Sequence, residues 1–445
     1  MDIFIKILQL ILSLSVLVII HELGHFVAAK IFKTKVEKFY LFFNPGFSLF
    51  KVKYGDTEYG VGWLPLGGYV KIAGMIDESM DKEQMAKDPE PWEFRSKPAW
   101  QRLIIMLGGV IMNVVLAALI YIVMMASYGE EYLPNSAVKY GIEVDSIGQT
   151  AGLRNGDKIL SLDGQQIDDF SKIPLIILLD EIESIQVDRN GEQIDLDIDG
   201  EFKAALIAEE NPRFLRPRMP VRVMDFSAQS NAKEAGIEKG DWLLAVNGKE
   251  IIFFDQFEAF KDSVSAHKEE FVSIKVQRES KLMEFEVPVQ EDGLIGISVA
   301  GDLKLDFELR SHKYSVIEAI PAGISKAVDQ IDNYLKQLKM LFSPEMEAYK
   351  SVGGFGTIAS IFPPTWDWIR FWELTAFLSI MLAVLNILPI PALDGGHVMF
   401  LMYEIIARRK PSDKFLEYAQ YVGMILLLGL LVFANGNDIY KYFFK

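Results

Sequence analysis

The sequence predicts a polytopic α-helical membrane protein of four transmembrane helices, interrupted midway by two β-rich domains. Three observations predict it. Four stretches are apolar over the roughly 20 residues that a helix needs to cross a bilayer. The segment between the second and third carries a strand-and-turn pattern twice, 84 residues apart. Basic residues crowd the connections on one side of these stretches only.

Composition agrees with a mixture of membrane and water-soluble parts. Half of the 445 residues are hydrophobic, and the mean hydropathy is +0.18, high for a soluble protein and low for one that is all membrane. The net charge of −16 argues against nucleic acid as a partner, because a phosphate binder needs basic surface. Most of that acidity falls in the middle of the chain. The absence of cysteine excludes disulfides and thiolate-held metal, so any metal here is held by His, Asp or Glu.

The first span covers about 4–32. Residues 7–20 read ILQLILSLSVLVII, without a charge, and His21-Glu22-Leu23-Gly24-His25 follows directly. This is expected to be a retained helix and not a cleaved signal, since cleavage would discard or expose that motif. Two histidines four apart share one face of a helix and can reach one metal, with Glu22 beside it to deprotonate a water. Ionisable groups at membrane depth are expensive and mark function. Lys30, Lys33, Lys35 and Lys38 then crowd the exit of the span.

The second span covers 103–126 and follows Arg95, Lys97 and Arg102; Asn113 within it reads as helix–helix glue. Next comes the repeat, Ala151-Gly152-Leu153 to Ile167 against Ala235-Gly236-Ile237 to Ile251. Each copy has Ala-Gly-aliphatic, then Gly-Asp, two apolar strand residues, and Asp-Gly or Asn-Gly, the chemistry of a short helix, a turn, a strand and a hairpin. Residues 313–342 have helical apolar spacing mixed with both charge signs, and are expected to pack on the second repeat in preference to lying on the membrane. Trp366, Trp368 and Trp372 form an interfacial aromatic belt before the third span, about 371–391, which ends in Asn386-Ile-Leu-Pro389-Ile-Pro391-Ala-Leu-Asp394-Gly-Gly-His397. Arg408, Arg409, Lys410 and Lys414 fill the connection to the fourth span, about 417–434.

Positive charge inside puts both basic connections in the cytoplasm, and both termini and residues 127–370 outside. The histidine motif and Asp394 then lie at the same cytoplasm-facing depth. A catalytic zinc takes three protein ligands and keeps one position open. His21 and His25 supply two, and spacing leaves Asp394 and His397 as equal candidates for the third. His267 and His312 fall on the wrong side.

These motifs together resemble the site-2 protease family of intramembrane zinc metalloproteases, and within it the bacterial regulator of sigma-E protease type. The resemblance covers essentially the whole chain. It implies Zn²⁺ on His21, His25 and Asp394, with Glu22 as the catalytic general base. It implies substrate-binding roles for Asn386 and Pro389. Val61–Gly74, containing Gly67 and Gly68, is similar to the family's membrane-associated β-hairpin, which supplies strand edges to an unwound substrate. Leu107-Gly108-Gly109 departs from the Gly-Pro that many relatives carry, and Val352–Ile358 resembles the family's Gly-rich segment. The two repeats resemble PDZ domains of the circularly permuted kind. The organisation expected is 1–127 for the first two helices and the β-region, 128–210 and 211–302 for the PDZ-like domains, 303–370 for a linker with an amphipathic helix, and 371–445 for the last two helices.

The function so implied is cleavage within or near the transmembrane segment of single-span membrane proteins, the second cut of regulated intramembrane proteolysis. Substrates would be of the anti-sigma factor type, with remnant signal peptides a further class. The place is the bilayer of a bacterial inner membrane, with the PDZ-like domains periplasmic. Alternatives are a membrane zincin acting on cytoplasm-facing segments, a non-catalytic PDZ scaffold, for which Glu22 would be superfluous, and a metal transporter, which would spread polar residues along several spans.

Overall fold

The computed structural model describes residues 2–65, 67–75, 88–208, 214–341 and 352–444. The expected boundary at 210/211, and the last residue of the 313–342 helix, fall outside them. The chain forms two compact units, one being Glu130–His312 and the other drawing on both ends of the chain.

The terminal unit holds the apolar helices. Helix α1 is Asp2–Ile31 and α2 is Ala99–Tyr128. The latter begins after Pro98, whose fixed φ suits a helix start, and stops at Gly129, whose φ of 74° ends it. Then come α3 (Val316–Leu341), α4 (Phe355–Ser360), α5 (Trp368–Ile387), α6 (Asp394–Ala407) and α7 (Asp413–Phe444). Among the described residues, α1, α2, α5 and α7 are long and apolar enough to cross a membrane, so the chain is read as a membrane protein. The third apolar stretch was expected to continue to 391. It ends at Ile387, where Pro389 and Pro391 cannot continue a helix, and a separate helix α6 starts at Asp394. That helix is absent from the sequence reading.

Helices α1 and α2 touch backbone to backbone. A Cβ on Gly24 would lie 2.1 Å from the Gly108 carbonyl oxygen, and one on Gly108 would lie 2.5 Å from that of Gly24. Amphipathic α3 packs against α2 and α5. Its small residues Ala319, Gly323 and Ala327 recur every four positions and are buried; a Cβ on Gly323 would meet the Ile122 backbone at 2.5 Å. Close approach of that stripe, rather than charge, sets the partner. Trp366, Trp368 and Trp372 cluster their rings around buried Phe371.

Between α1 and α2 lies a four-stranded sheet in the order β2-β3-β1-β4, made of β1 (Val36–Leu41), β2 (Phe50–Tyr54), β3 (Thr57–Val61) and β4 (Tyr69–Ile72). The segment Val61–Gly74, expected as a β-hairpin, instead runs from the last residue of β3 into β4, which pairs with β1; the hairpin of this sheet is β2–β3, just before it. Strand β1 runs parallel to β3 and antiparallel to β4, which leaves β4 an edge among the described residues.

The second unit explains the repeat. In the first copy the Asp157 carboxylate accepts from the Arg154 amide and from Nε and Nη2 of Arg189, whose Nη2 also reaches the Gly152 carbonyl. In the second, Asp241 accepts from the Glu238 amide and from Arg278, which reaches the Gly236 carbonyl. The Gly-Asp of each repeat is thus a turn clamped by an arginine from the following hairpin. Asp163 and Asn247 also match, both at positive φ and both accepting from a strand amide, of Ser184 and Ser273. That bond first, and others from Glu183 and Ser184, hold the Asp163 carboxyl below the usual range. Sheets of both copies enclose apolar cores, one around Ile142, Ile185 and Phe214 and one around Val223, Leu243 and Ile274. Leu215–Pro217, after the expected boundary, pairs with Ile142–Val144 of the first copy. The unit closes where Glu130–Tyr132 pairs antiparallel with Arg310–His312.

Candidate active site

Four elements of the terminal unit converge on one point. His21 and His25 sit one turn apart on α1, both buried, and their Nε2 atoms are 3.2 Å apart. Asp394 opens α6, and its Oδ2 lies 3.1 Å from His21 Nε2 and 3.2 Å from His25 Nε2. Donors placed 2.0–2.1 Å from a tetrahedral metal stand about 3.3 Å from one another, so this triangle fits zinc. Asp394 Oδ2 is buried without a hydrogen-bond donor, a costly state that a cation relieves. Among the described residues these three form the one group of metal-ligating side chains close enough to share an ion. His397 is not in it: one turn further along α6, it lines a cavity with Arg102, Phe400 and Glu404.

The rings are aimed by their other nitrogens, as metal-binding histidines usually are. His25 Nδ1 donates to the Ile105 carbonyl of α2 at 2.8 Å. His21 Nδ1 lies 3.2 Å from the Asn113 amide, and Ser379 Oγ donates to the Asn113 carbonyl. Asn113 therefore does more than glue helices. Space for the rings comes from Gly109, where a Cβ would lie 2.4 Å from His25 Nε2 and 2.7 Å from His21 Nε2. The departure to Gly108-Gly109 thus leaves both the α1–α2 contact and the room for the ligands.

The approach to Asp394 is a strained turn. Ala392 has a φ of 79°, a conformation that costs a non-glycine residue about 1–3 kcal/mol and persists only where packing imposes it. The packing is tight: Cβ atoms on Gly395 and Gly396 would collide with the backbone of Leu388 and Ile390.

Glu22 accepts a hydrogen bond from the backbone of Val70, so edge strand β4 lies alongside it. A Cβ on Gly68 would come within 3.6 Å of Glu22 Cγ, which places Gly68 at the carboxylate. Gly67, with a φ of 144°, packs against the Phe43 ring. Asn386 Nδ2 is 3.3 Å from His21 Nε2, so it too is brought to the cluster. Pro389 stands in the turn between α5 and α6. On β1, next to β4, burial raises the Tyr40 hydroxyl above its ordinary pKa, with the bonded Glu58 adding to it.

The model of peptidase family M50 matches residues 9–430. The chain belongs to peptidase family M50. Its relatives agree over nearly their full lengths. A Campylobacter jejuni protein named as a zinc metalloprotease is 29% identical over 440 residues, covering 98% of this chain and 93% of that protein. The regulator of sigma E protease of Haemophilus influenzae is 28% identical over 458 residues, 97% and 98% of the two chains. A Clostridium perfringens protein named as a zinc metalloprotease is 26% identical over 438 residues, 96% of each. This M50 chain is accordingly a zinc-dependent peptidase. Its site includes parts the sequence reading passed over: Ile105 and Gly109 carry no polar side chain to signal a role, and Asn113 signalled only a generic one.

Proposed function

We propose that this M50 peptidase is an intramembrane protease that cuts within or near the membrane-spanning segment of single-span proteins, with zinc held by His21, His25 and Asp394. One observation carries the proposal. The three donors converge inside a bundle of apolar helices, two of them on α1 itself. A bond hydrolysed there is one that lies at membrane depth.

When bound, zinc supplies an electrophile that polarises the substrate carbonyl and acidifies a water. The chain's own residues do the rest. Glu22 takes the proton of the attacking water and returns it to the leaving amine. Its hydrogen bond to Val70 fixes the carboxylate between the ligand pair and β4. A helical peptide bond is shielded by its own hydrogen bonding, so substrate must be unwound. Edge strand β4, preceded by Gly67 and by Gly68 beside Glu22, offers backbone partners to an extended chain. Asn386, which stands next to His21, and Pro389 bind substrate.

The two repeats are PDZ-like domains, about 128–210 and 211–302, followed by a linker to 370 that carries α3. Their shared turn chemistry and element order support this. Charge counting puts them outside a bacterial inner membrane with the zinc toward the cytoplasm. One relative bears the name of a sigma E regulator, in keeping with a second cut in regulated proteolysis of a membrane-bound anti-sigma factor, remnant signal peptides being a further class.

The test is Glu22→Gln. The variant is expected to retain zinc near one ion per chain while cleavage of a single-span substrate in membranes is abolished. Persistent cleavage would overturn the role of Glu22. A wild-type chain that cuts only soluble, extended peptides would overturn the intramembrane reading.

A further inference from the structure

We infer that Arg102 and Glu404 are positioning residues of the peptidase: their ion pair sets the depth of α6, and with it the place of Asp394 against the two histidines. The inference rests on Asp394 being a zinc ligand.

Arg102 lies in the first turn of α2 and Glu404 near the end of α6. The guanidinium donates to Glu404 at 2.6 Å with one arm, while its Nε donates to the Lys97 carbonyl at 2.9 Å. Both side chains are largely enclosed, Arg102 8% and Glu404 19% exposed. Two fixed hydrogen bonds give the arginine one rotamer, so it acts as a stop and not as a tether.

Glu404 cannot touch the metal. Ten residues of helix separate it from Asp394, about 15 Å along the axis. It acts through the helix instead. Helix α6 is 14 residues long and starts with the ligand. Its first turn is pressed onto the Leu388–Pro391 turn by Gly395 and Gly396, and its last turns are held by Arg102. A short rod fixed at both ends has little freedom to slide, and a slide of well under 1 Å is enough to spoil a metal triangle with sides of 3.1–3.2 Å.

The register of α2 supports a role beyond stability. Arg102, Ile105, Gly109 and Asn113 follow one another at intervals of three, four and four, a single face of the helix. Ile105 aims His25, Gly109 leaves room for both rings, and Asn113 aims His21. Arg102 extends that face by one turn to the helix bearing the third ligand. One stripe therefore references all three donors to the same frame.

The experiment uses the full chain, purified in lipid nanodiscs, with zinc affinity measured by chelator competition and with kcat and KM measured on a single-span substrate. Arg102→Gln and Glu404→Gln are expected to weaken zinc binding measurably, but by less than the about 10- to 100-fold lost when a direct hydrogen-bond partner of a ligand is removed. Zinc-saturated kcat should fall while KM stays within about twofold. Exchanging the pair, Arg102→Glu with Glu404→Arg, should recover most of the zinc affinity. Arg102→Lys, which keeps the charge but not the fork, is the gentler variant should the glutamines fold poorly, and is expected to show a smaller loss of the same kind. Variants that melt earlier but bind zinc like the wild type would overturn the inference and leave the pair a stability contact. An exchanged pair no better than either single change would overturn it too. A wild-type chain that holds no zinc would instead overturn the proposed function on which it rests.

Discussion

At the scale of single residues, the site turns on which nitrogen of each histidine is left free. A metal needs the lone pair of Nε2, so Nδ1 must carry the proton and find an acceptor. His25 has one in the Ile105 carbonyl. His21 faces the amide of Asn113, whose Nδ2 lies 3.2 Å from the ring and whose Oδ1 is buried and unpartnered. The two ends of an amide are assigned from such networks, and turning it over gives the oxygen a donor and His21 an acceptor at once. Asn113 is therefore expected to hold the metal-binding tautomer of His21. Asn113→Ala should lower zinc affinity or activity about 10- to 100-fold, and Asn113→Asp, which keeps an acceptor, should lose much less. Equal zinc affinity in the alanine variant, by chelator competition, would return Asn113 to a packing role. Nothing in the sequence distinguishes this asparagine from one that merely joins helices. Its meaning depends on which residue of another helix it meets.

At the scale of elements, the parts legible in the sequence are those with a local rule. His21, Glu22 and His25 declare themselves because i, i+4 places two rings on one face. The repeat declares itself because a Gly-Asp turn and a positive-φ Asp or Asn need particular residues. Helix α6 was not legible: Asp394-Gly-Gly after two prolines reads as a turn, and only packing makes its first residues helical. Nor was the partner of α3, since the stripe of Ala319, Gly323 and Ala327 fits any close surface. The choice of Asp394 over His397 likewise came from family likeness and not from spacing, because three residues apart on a helix they are neighbours on one face. One glycine from α1 and one from α2 make a test at this scale. Gly24→Ala drives a Cβ to 2.1 Å from a backbone oxygen, so α1 and α2 must separate, and a loss of about 1–3 kcal/mol or more is expected in thermal or denaturant unfolding. Gly109→Ala meets side-chain atoms of the two histidines instead. It should unfold more nearly like the wild type yet bind zinc poorly. The same loss of zinc in both, in proportion to stability, would deny Gly109 its separate role.

At the scale of the whole molecule, the order of the helices fixes more than their number. Four crossings, two before the inserted unit and two after it, would put the insert on the same side of the membrane as both termini and the Lys30–Lys38 and Arg408–Lys414 connections on the other, the arrangement proposed above. Because the chain has no cysteine, single substitutions report their side cleanly. In spheroplasts, Gln193→Cys within the insert should react with a membrane-impermeant maleimide, and Ser412→Cys between the last two spans should react only after permeabilisation. The opposite pattern would move the zinc to the other face. The insert itself leaves the chain through a neck in which Glu130–Tyr132 and Arg310–His312 are paired strands, about 4.8 Å apart. Its two ends are thus already side by side, and residues 130–312 can be replaced by a short Gly-Ser linker without stretching the chain between α2 and α3. If the PDZ-like pair excludes substrates that still carry a bulky exterior domain, this variant should cut the untrimmed substrate as readily as the trimmed one, with cleavage of the trimmed form unchanged. A deletion variant that kept the wild-type preference for trimmed substrate would show that the selection resides in the helices and β4, and that the repeats serve another purpose.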